Sequence, residues 1–260
     1  MASGVRNTVV GDGIAPPTDM DEPGTPSRGP EVLAADALWS RSREDGTWVA
    51  GVGRPTRNVF LPPGRSWPGD DVRFDALLAS MRDPPTVRRG TYNYYVFPIT
   101  DGVPALSPDA LDEVVEAVLE IADVDVDRIV TMEAMGIPIA TALSLRTRIP
   151  FTIVRKRQYG LPGETEVVQE TGYSHNPMFI NGLGPGMRVL VVDDIISTGG
   201  TLLAILRALR EIGVEVANVV MVVDKGDGRR RIREELGIDV KVLVRVEDSG
   251  DGPVVRPVLA

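Results

Sequence analysis

Asp193 and Asp194 stand side by side between an apolar run, Val189 to Val192, and a stretch of small and hydroxylated residues, Ser197-Thr198-Gly199-Gly200-Thr201. The run is too short for a core helix and rich in β-branched residues, which reads as a strand buried on both faces of a parallel sheet. The two acids then fall where that strand emerges. Beyond the small-residue turn, Leu202, Leu203, Ile205, Leu206 and Leu209 recur at helical spacing. Each part of this strand, acid pair, loop and helix has a chemical use. Glycines let the backbone approach a ligand, and unpaired N–H groups at a helix start attract a phosphate. The hydroxyls of Ser197, Thr198 and Thr201 can donate to the same oxygens. Adjacent carboxylates can accept hydrogen bonds from a sugar diol or neutralise Mg²⁺. A ribose 5-phosphate fits this arrangement, with its phosphate in the loop and its hydroxyls on the acids.

The stretch from Arg188 to Thr201 resembles the phosphoribosyl pyrophosphate signature of the type I phosphoribosyltransferases: apolar strand, two acids, two apolar residues, then Ser/Ala-Thr-Gly-Gly-Thr, without a gap. The alternative is a plain strand-to-helix turn with solvent-facing acids. Other phosphate loops fit worse, since the chain has no Gly-x-x-x-x-Gly-Lys-Ser/Thr and no Gly-x-Gly-x-x-Gly after a strand. The resemblance implies that Asp193 and Asp194 are catalytic residues and Mg²⁺ ligands. It also implies that Ile195, Ile196, Ser197, Thr198, Gly199, Gly200 and Thr201 bind the substrate. The fold implied is a parallel twisted sheet flanked by helices, with a small hood over the site.

Three more segments carry possible chemistry. Glu133-Ala134-Met135-Gly136 lies between a strand and a helix and resembles the short loop that binds pyrophosphate in this family; it also reads as a plain βα turn that uses Gly136 for its backbone freedom. Arg155-Lys156-Arg157 leads into Gln158-Tyr159-Gly160-Leu161-Pro162-Gly163-Glu164. A charge run of this kind is usually a solvated face. Purine phosphoribosyltransferases of the adenine and xanthine type have a similar segment, whose lysine approaches the pyrophosphate. Lys156 is carried over as a catalytic contact, with Arg155, Arg157 and Tyr159 as substrate-binding residues. Residues 159–177 would be a lid that excludes water. Tyr173 and His175 fall within it, and His175 is read as a solvent-facing loop residue. Lys225, in Val222-Val-Asp-Lys-Gly-Asp-Gly228, matches a lysine that bonds the 6-oxo group of the purine in hypoxanthine–guanine enzymes; the other reading is a turn lysine without a ligand.

The elements needed to position these residues can be read along the chain. Phe74, Leu77, Leu78 and Met81 have helical spacing, Thr91 to Phe97 reads as a strand, and Pro98 to Pro104 as a turn-rich link. Tyr92 to Val103 is the candidate hood. Ser107-Pro108-Asp109 opens a helix with a hydroxyl cap, a proline in the first turn and an acid facing the dipole, and that helix runs to about Ala122. Strands at 128–132, 151–154, 216–223 and 240–246 alternate with helices at 137–145 and 228–236, and Val167 and Val168 sit in a possible hairpin arm. Such alternation gives an α/β fold whose ligands collect at the carboxyl ends of the strands.

Composition bounds what remains. The chain has 260 residues, a net charge of −9 and a pI of about 4.8, which argues against a non-specific nucleic-acid binder. With no cysteine, disulfides and thiolate chemistry are excluded, and one histidine cannot make a multi-histidine metal site. No apolar stretch approaches the roughly 20 residues that span a bilayer, so a soluble cytoplasmic protein is expected. Proline and glycine supply 19 of the first 70 residues against 29 of the next 190. Residues 1–70 are therefore expected to be a partly disordered or docked arm, with a short helix at 31–40, and residues 71–260 the phosphoribosyltransferase domain.

The resemblance runs from about Phe74 to Val246 and is nearest to the archaeal-type hypoxanthine phosphoribosyltransferases; the long front end departs from that compact family. It implies transfer of a phosphoribosyl group from phosphoribosyl pyrophosphate to a purine, with Mg²⁺, in a homodimer. Adenine as acceptor is an alternative, as is a non-catalytic sensor of phosphoribosyl pyrophosphate, though the arm offers no basic surface for such a regulator.

Overall fold

The computed structural model describes residues 40–41, 48–49, 74–90, 92–167, 177–250 and 252–258. The chain falls into two compact units, Met1–Gly51 and Val52–Ala260. In the first, β1 (Ser40–Arg41) and β2 (Trp48–Val49) form an antiparallel pair. Ser40, expected at the end of a helix, is thus in a strand; residues 31–39, Tyr173 and His175 lie outside the described residues.

The second unit is built on β5 (Arg128–Met132), β6 (Phe151–Val154), β9 (Arg188–Ile196), β10 (Glu215–Asp224), β11 (Val240–Asp248) and β12 (Pro253–Pro257). They form one sheet in the order β12-β11-β10-β9-β5-β6. All pairings are parallel except β11 with β12. The sheet is therefore mixed, and the antiparallel edge strand was not expected from the sequence. Side chains alternate between two apolar layers. Leu190 and Val192 of β9 pack with α1 (Asp75–Ser80), α3 (Pro108–Ile121) and α4 (Gly136–Thr147). Val189 and Val191 pack with α5 (Gly200–Ile212) and α6 (Gly228–Leu236). That two-sided burial explains the unbroken Val/Leu run of β9.

Helix starts follow local chemistry. Ser107 accepts from Ala110 N–H at the start of α3, with Pro108 in the first turn. The six-residue α1 has no side-chain cap of its own, and Glu113 of α3 supplies one, accepting from Ala76 and Leu77 N–H at 2.9 Å each. The link expected at 98–104 holds a helical turn, α2 (Pro98–Asp101). Asp101 closes it by accepting from Phe97 N–H at 3.0 Å and Thr100 Oγ1 at 2.6 Å. Two small antiparallel pairs flank the sheet: β3 (Thr86–Arg89) with β4 (Tyr92–Tyr95), and β7 (Thr165–Val167) with β8 (Met178–Ile180). Backbone hydrogen bonds between Arg155 and Phe179 tie β8 to the end of β6.

Candidate functional site

The parallel strands β5, β6, β9 and β10 deliver their carboxyl ends to the same side of the sheet, where doubly wound sheets bind ligands. A cleft of about 400 Å³ opens there. Its floor is the continuous stretch Ile195 to Leu202, so Ile195, Ile196, Ser197, Thr198, Gly199, Gly200 and Thr201 line it together. Asp193, Glu133 and Lys156 line it from β9, the β5 end and the β6 end. Met132 and Met178 give it an apolar wall that sequence reading did not anticipate. Asp194, Ala134, Met135, Gly136, Arg155, Arg157, Tyr159 and Lys225 lie outside this lining.

The acids do not follow the strand, as expected from the sequence, but belong to it: β9 continues to Ile196, and Asp193 is registered against Met221 of β10. Each acid is only 8 % exposed. Burial, and then the charge of Asp194, push the Asp193 carboxyl well above the ordinary aspartate range, and the two carboxyls share a hydrogen bond. Burial pushes Asp194 up to about 7, with Asp101 of α2 adding to the effect. The pair therefore titrates as a unit and holds a proton near neutrality.

Asp193 Oδ1 is buried without a hydrogen-bond partner, and so is Thr131 Oγ1. Both crowd the point where a Cβ would stand on Gly136. Gly136 is thus glycine because the Asp193 carboxyl occupies the place of its side chain, a closer constraint than turn freedom. Asp193 is nonetheless a lining residue of the cleft, and a carboxylate there fits a sugar hydroxyl or a hard cation. Among the described residues no cluster of three or more His, Asp or Glu side chains could hold a metal by itself. Mg²⁺ commonly takes one or two carboxylates and completes its shell with phosphate and water, so these residues fit it.

The basic strand end is divided in its roles. Arg155 Nε donates to Glu133 Oε2 at 3.2 Å, joining the β6 end to the loop after β5. Lys156 turns into the cleft. Arg157 lies 5.5 Å over the Tyr159 ring. The exposed loop that follows is gathered by one carboxylate. Glu164 accepts from Tyr159 N–H at 2.9 Å, Gly160 N–H at 2.8 Å and Asn181 Nδ2 at 2.8 Å. Desolvation pushes its carboxyl up, but the bonds from Asn181, Tyr159 and Gly160 together outweigh it and hold the group below its usual range.

Lys225 stands apart from the cleft and under the hood. Its Nζ is 5.7 Å from the Tyr94 ring and 5.2 Å from the Tyr95 ring. Tyr94 OH donates to Asp101 Oδ1 at 2.5 Å, linking β4 to α2. Asp101, Glu164 and Thr131, which act on the candidate residues without lining the cleft, were not singled out from the sequence. The position of Glu164 behind Gly160-Leu-Pro-Gly163 was a usable signal; for Thr131, an alternating strand residue, none existed.

Known proteins give this geometry a lineage. The family model described as phosphoribosyl transferase domain matches residues 109–244. The hypoxanthine/guanine phosphoribosyltransferase of Methanosarcina mazei is 55 % identical over 160 residues, 62 % of this chain and 82 % of the relative. That of Methanohalophilus mahii is 52 % identical over 159 residues, 61 % of this chain and 84 % of the relative. Among solved structures, the adenine phosphoribosyltransferase of Rhodothermus marinus aligns at a TM-score of 0.54 with 24 % identity, over 65 % of this chain and 98 % of that one. That of Thermoanaerobacter pseudethanolicus gives 0.53 and 23 %, over 65 % and 99 %. The structural likenesses establish the fold. With the family model matched along more than half of its length, the chain belongs to the phosphoribosyltransferase family.

Proposed function

We propose that this protein is a purine phosphoribosyltransferase of purine salvage. It moves the phosphoribosyl group of phosphoribosyl pyrophosphate onto a purine base, giving a nucleoside monophosphate and pyrophosphate. Hypoxanthine or guanine is the preferred acceptor. The observation that carries this reading is the convergence of buried Asp193, the Ser197–Thr201 loop and Lys156 on one cleft. The base preference is supported by the names of the relatives and by Lys225 under the hood, a cationic donor suited to a 6-oxo group rather than to a 6-amino group.

Such a substitution at ribose C1 passes through a cation-like transition state and needs positioning and charge stabilisation more than a protein nucleophile. Backbone N–H groups at the start of α5, with the hydroxyls of Ser197, Thr198 and Thr201, anchor the 5-phosphate. Asp193 and Asp194 hold the ribose hydroxyls and are the residues that would hold Mg²⁺, which when bound offsets charge on the leaving pyrophosphate. Lys156 meets the pyrophosphate from β6, and the Glu133–Gly136 loop meets it from β5. Asp194, raised to about 7, is poised to take the proton lost by the purine nitrogen. The Tyr159–Glu164 loop closes the mouth against water. A cytoplasmic homodimer completes the proposal.

The test is a panel of hypoxanthine, guanine, xanthine, adenine and orotate with phosphoribosyl pyrophosphate and Mg²⁺, read by nucleotide formation. Product with the 6-oxopurines is expected. Product with adenine alone would overturn the base preference, and no product with any base would overturn the enzymatic reading.

A further inference from the structure

The turn after β10, Lys225-Gly226-Asp227-Gly228, packs backbone to backbone against the turn after β9. Lys225 N–H donates to Ile196 O, and Gly228 N–H to Ser197 O, both at 2.8 Å. A Cβ on Gly228 would stand 2.6 Å from Ser197 O and 2.8 Å from Gly199 N, and one on Gly226 would stand 3.0 Å from Ser197 O. Reciprocally, a Cβ on Gly199 would stand 2.9 Å from the Gly228 Cα. Apart from Ile196 Cγ1, 2.7 Å from the would-be Cβ of Gly228, these obstacles are main-chain atoms, so relief requires one turn to move against the other. Gly199 is also the N-cap of α5 and brings no side chain to fix that helix start. The anion-facing loop therefore takes part of its shape from a neighbouring strand's turn.

We propose that the Lys225–Gly228 turn is the template that holds the Ser197–Gly199 backbone in its phosphate-receiving shape, with Gly228 and Gly226 as positioning residues for the 5-phosphate. This rests on the reading of that loop as the ribose-phosphate anchor. It gives the two glycines a duty distinct from that of Lys225, whose side chain serves the hood. It also divides the substrate into separable parts: the 5-phosphate depends on the template, whereas pyrophosphate, held by Lys156 and the Glu133–Gly136 loop, does not.

Gly228→Ala is the direct probe, because Gly228 is not among the positive-φ glycines and alanine there meets only the contact. Gly184, also free of positive φ and with nothing within 4 Å of its would-be Cβ, supplies the control Gly184→Ala. Calorimetric titrations of the full chain with ribose 5-phosphate and with Mg²⁺-pyrophosphate, alongside steady-state kinetics, read the outcome. Gly228→Ala is expected to weaken ribose 5-phosphate and raise KM for phosphoribosyl pyrophosphate by about tenfold or more, the scale of a sub-ångström misplacement. Pyrophosphate affinity should stay within about twofold of the Gly184→Ala control. Gly226→Ala, whose contact is wider but whose φ of +149° adds backbone strain of its own, provides the comparison of the two ligands should Gly228→Ala fail to fold. Unchanged ribose 5-phosphate affinity in the folded variant, or equal loss for both ligands, would overturn the template. A wild-type protein that binds no ribose 5-phosphate would instead bring down the reading of the loop itself.

Discussion

Removing most of the water from around two adjacent carboxyls leaves them holding a proton that an exposed pair would have lost. If Asp194 is the proton acceptor, Asp194→Asn keeps the shape and removes the base, so turnover should fall by about an order of magnitude or more while the variant still folds; unchanged turnover defeats the assignment. The same burial makes ligand-free stability depend on pH. Between the ordinary aspartate range, where the unfolded chain releases its proton, and about 7, where folded Asp194 does, the native state binds more protons. Stability should therefore fall as pH rises through that window. Thermal scans from pH 5 to 8 should show this decline, flattened in Asp194→Asn, with Mg²⁺ restoring stability at pH 8 by binding only the folded form. A wild-type midpoint that rises across the window would contradict it. Much of this site was legible because strand, acids and loop are contiguous in the chain. Met132 and Met178 were not, because they reach the cleft through the register of other strands, and register is a tertiary fact.

At the level of elements, the loop from Tyr159 to Glu164 is ordered by a single carboxylate rather than by a core. Glu164→Ala should free the Tyr159 and Gly160 amides, visible as faster hydrogen exchange in that loop with the β strands unaffected. If closure excludes water, the variant should also hydrolyse more phosphoribosyl pyrophosphate per nucleotide formed. Exchange as slow as in the wild type would show that the loop is held by something else. The long periodic elements α3, α5, β5, β9 and β10 were readable from spacing. The short ones were not: α2 depends on Asp101 folding back on its own first turn, and β3, β8 and β12 exist through a partner strand that no local pattern announces.

On the scale of the molecule, every proposed site residue belongs to the unit Val52–Ala260. A chain beginning at Val52 should then keep nucleotide formation within about twofold of the full chain, since a compact unit with its own core is a candidate to fold alone. A soluble truncated chain without activity would assign chemistry to the first unit. The alternation of strands and helices made the layered architecture predictable, whereas the closing strand was hidden by its prolines. Those prolines have a consequence for how the molecule meets its own kind. Pro253 and Pro257 bound the outermost strand and carry no N–H, so two molecules brought rim to rim there would find the hydrogen-bonding ladder interrupted at both ends. Open-ended strand stacking is discouraged along that margin, which leaves self-assembly to other surfaces.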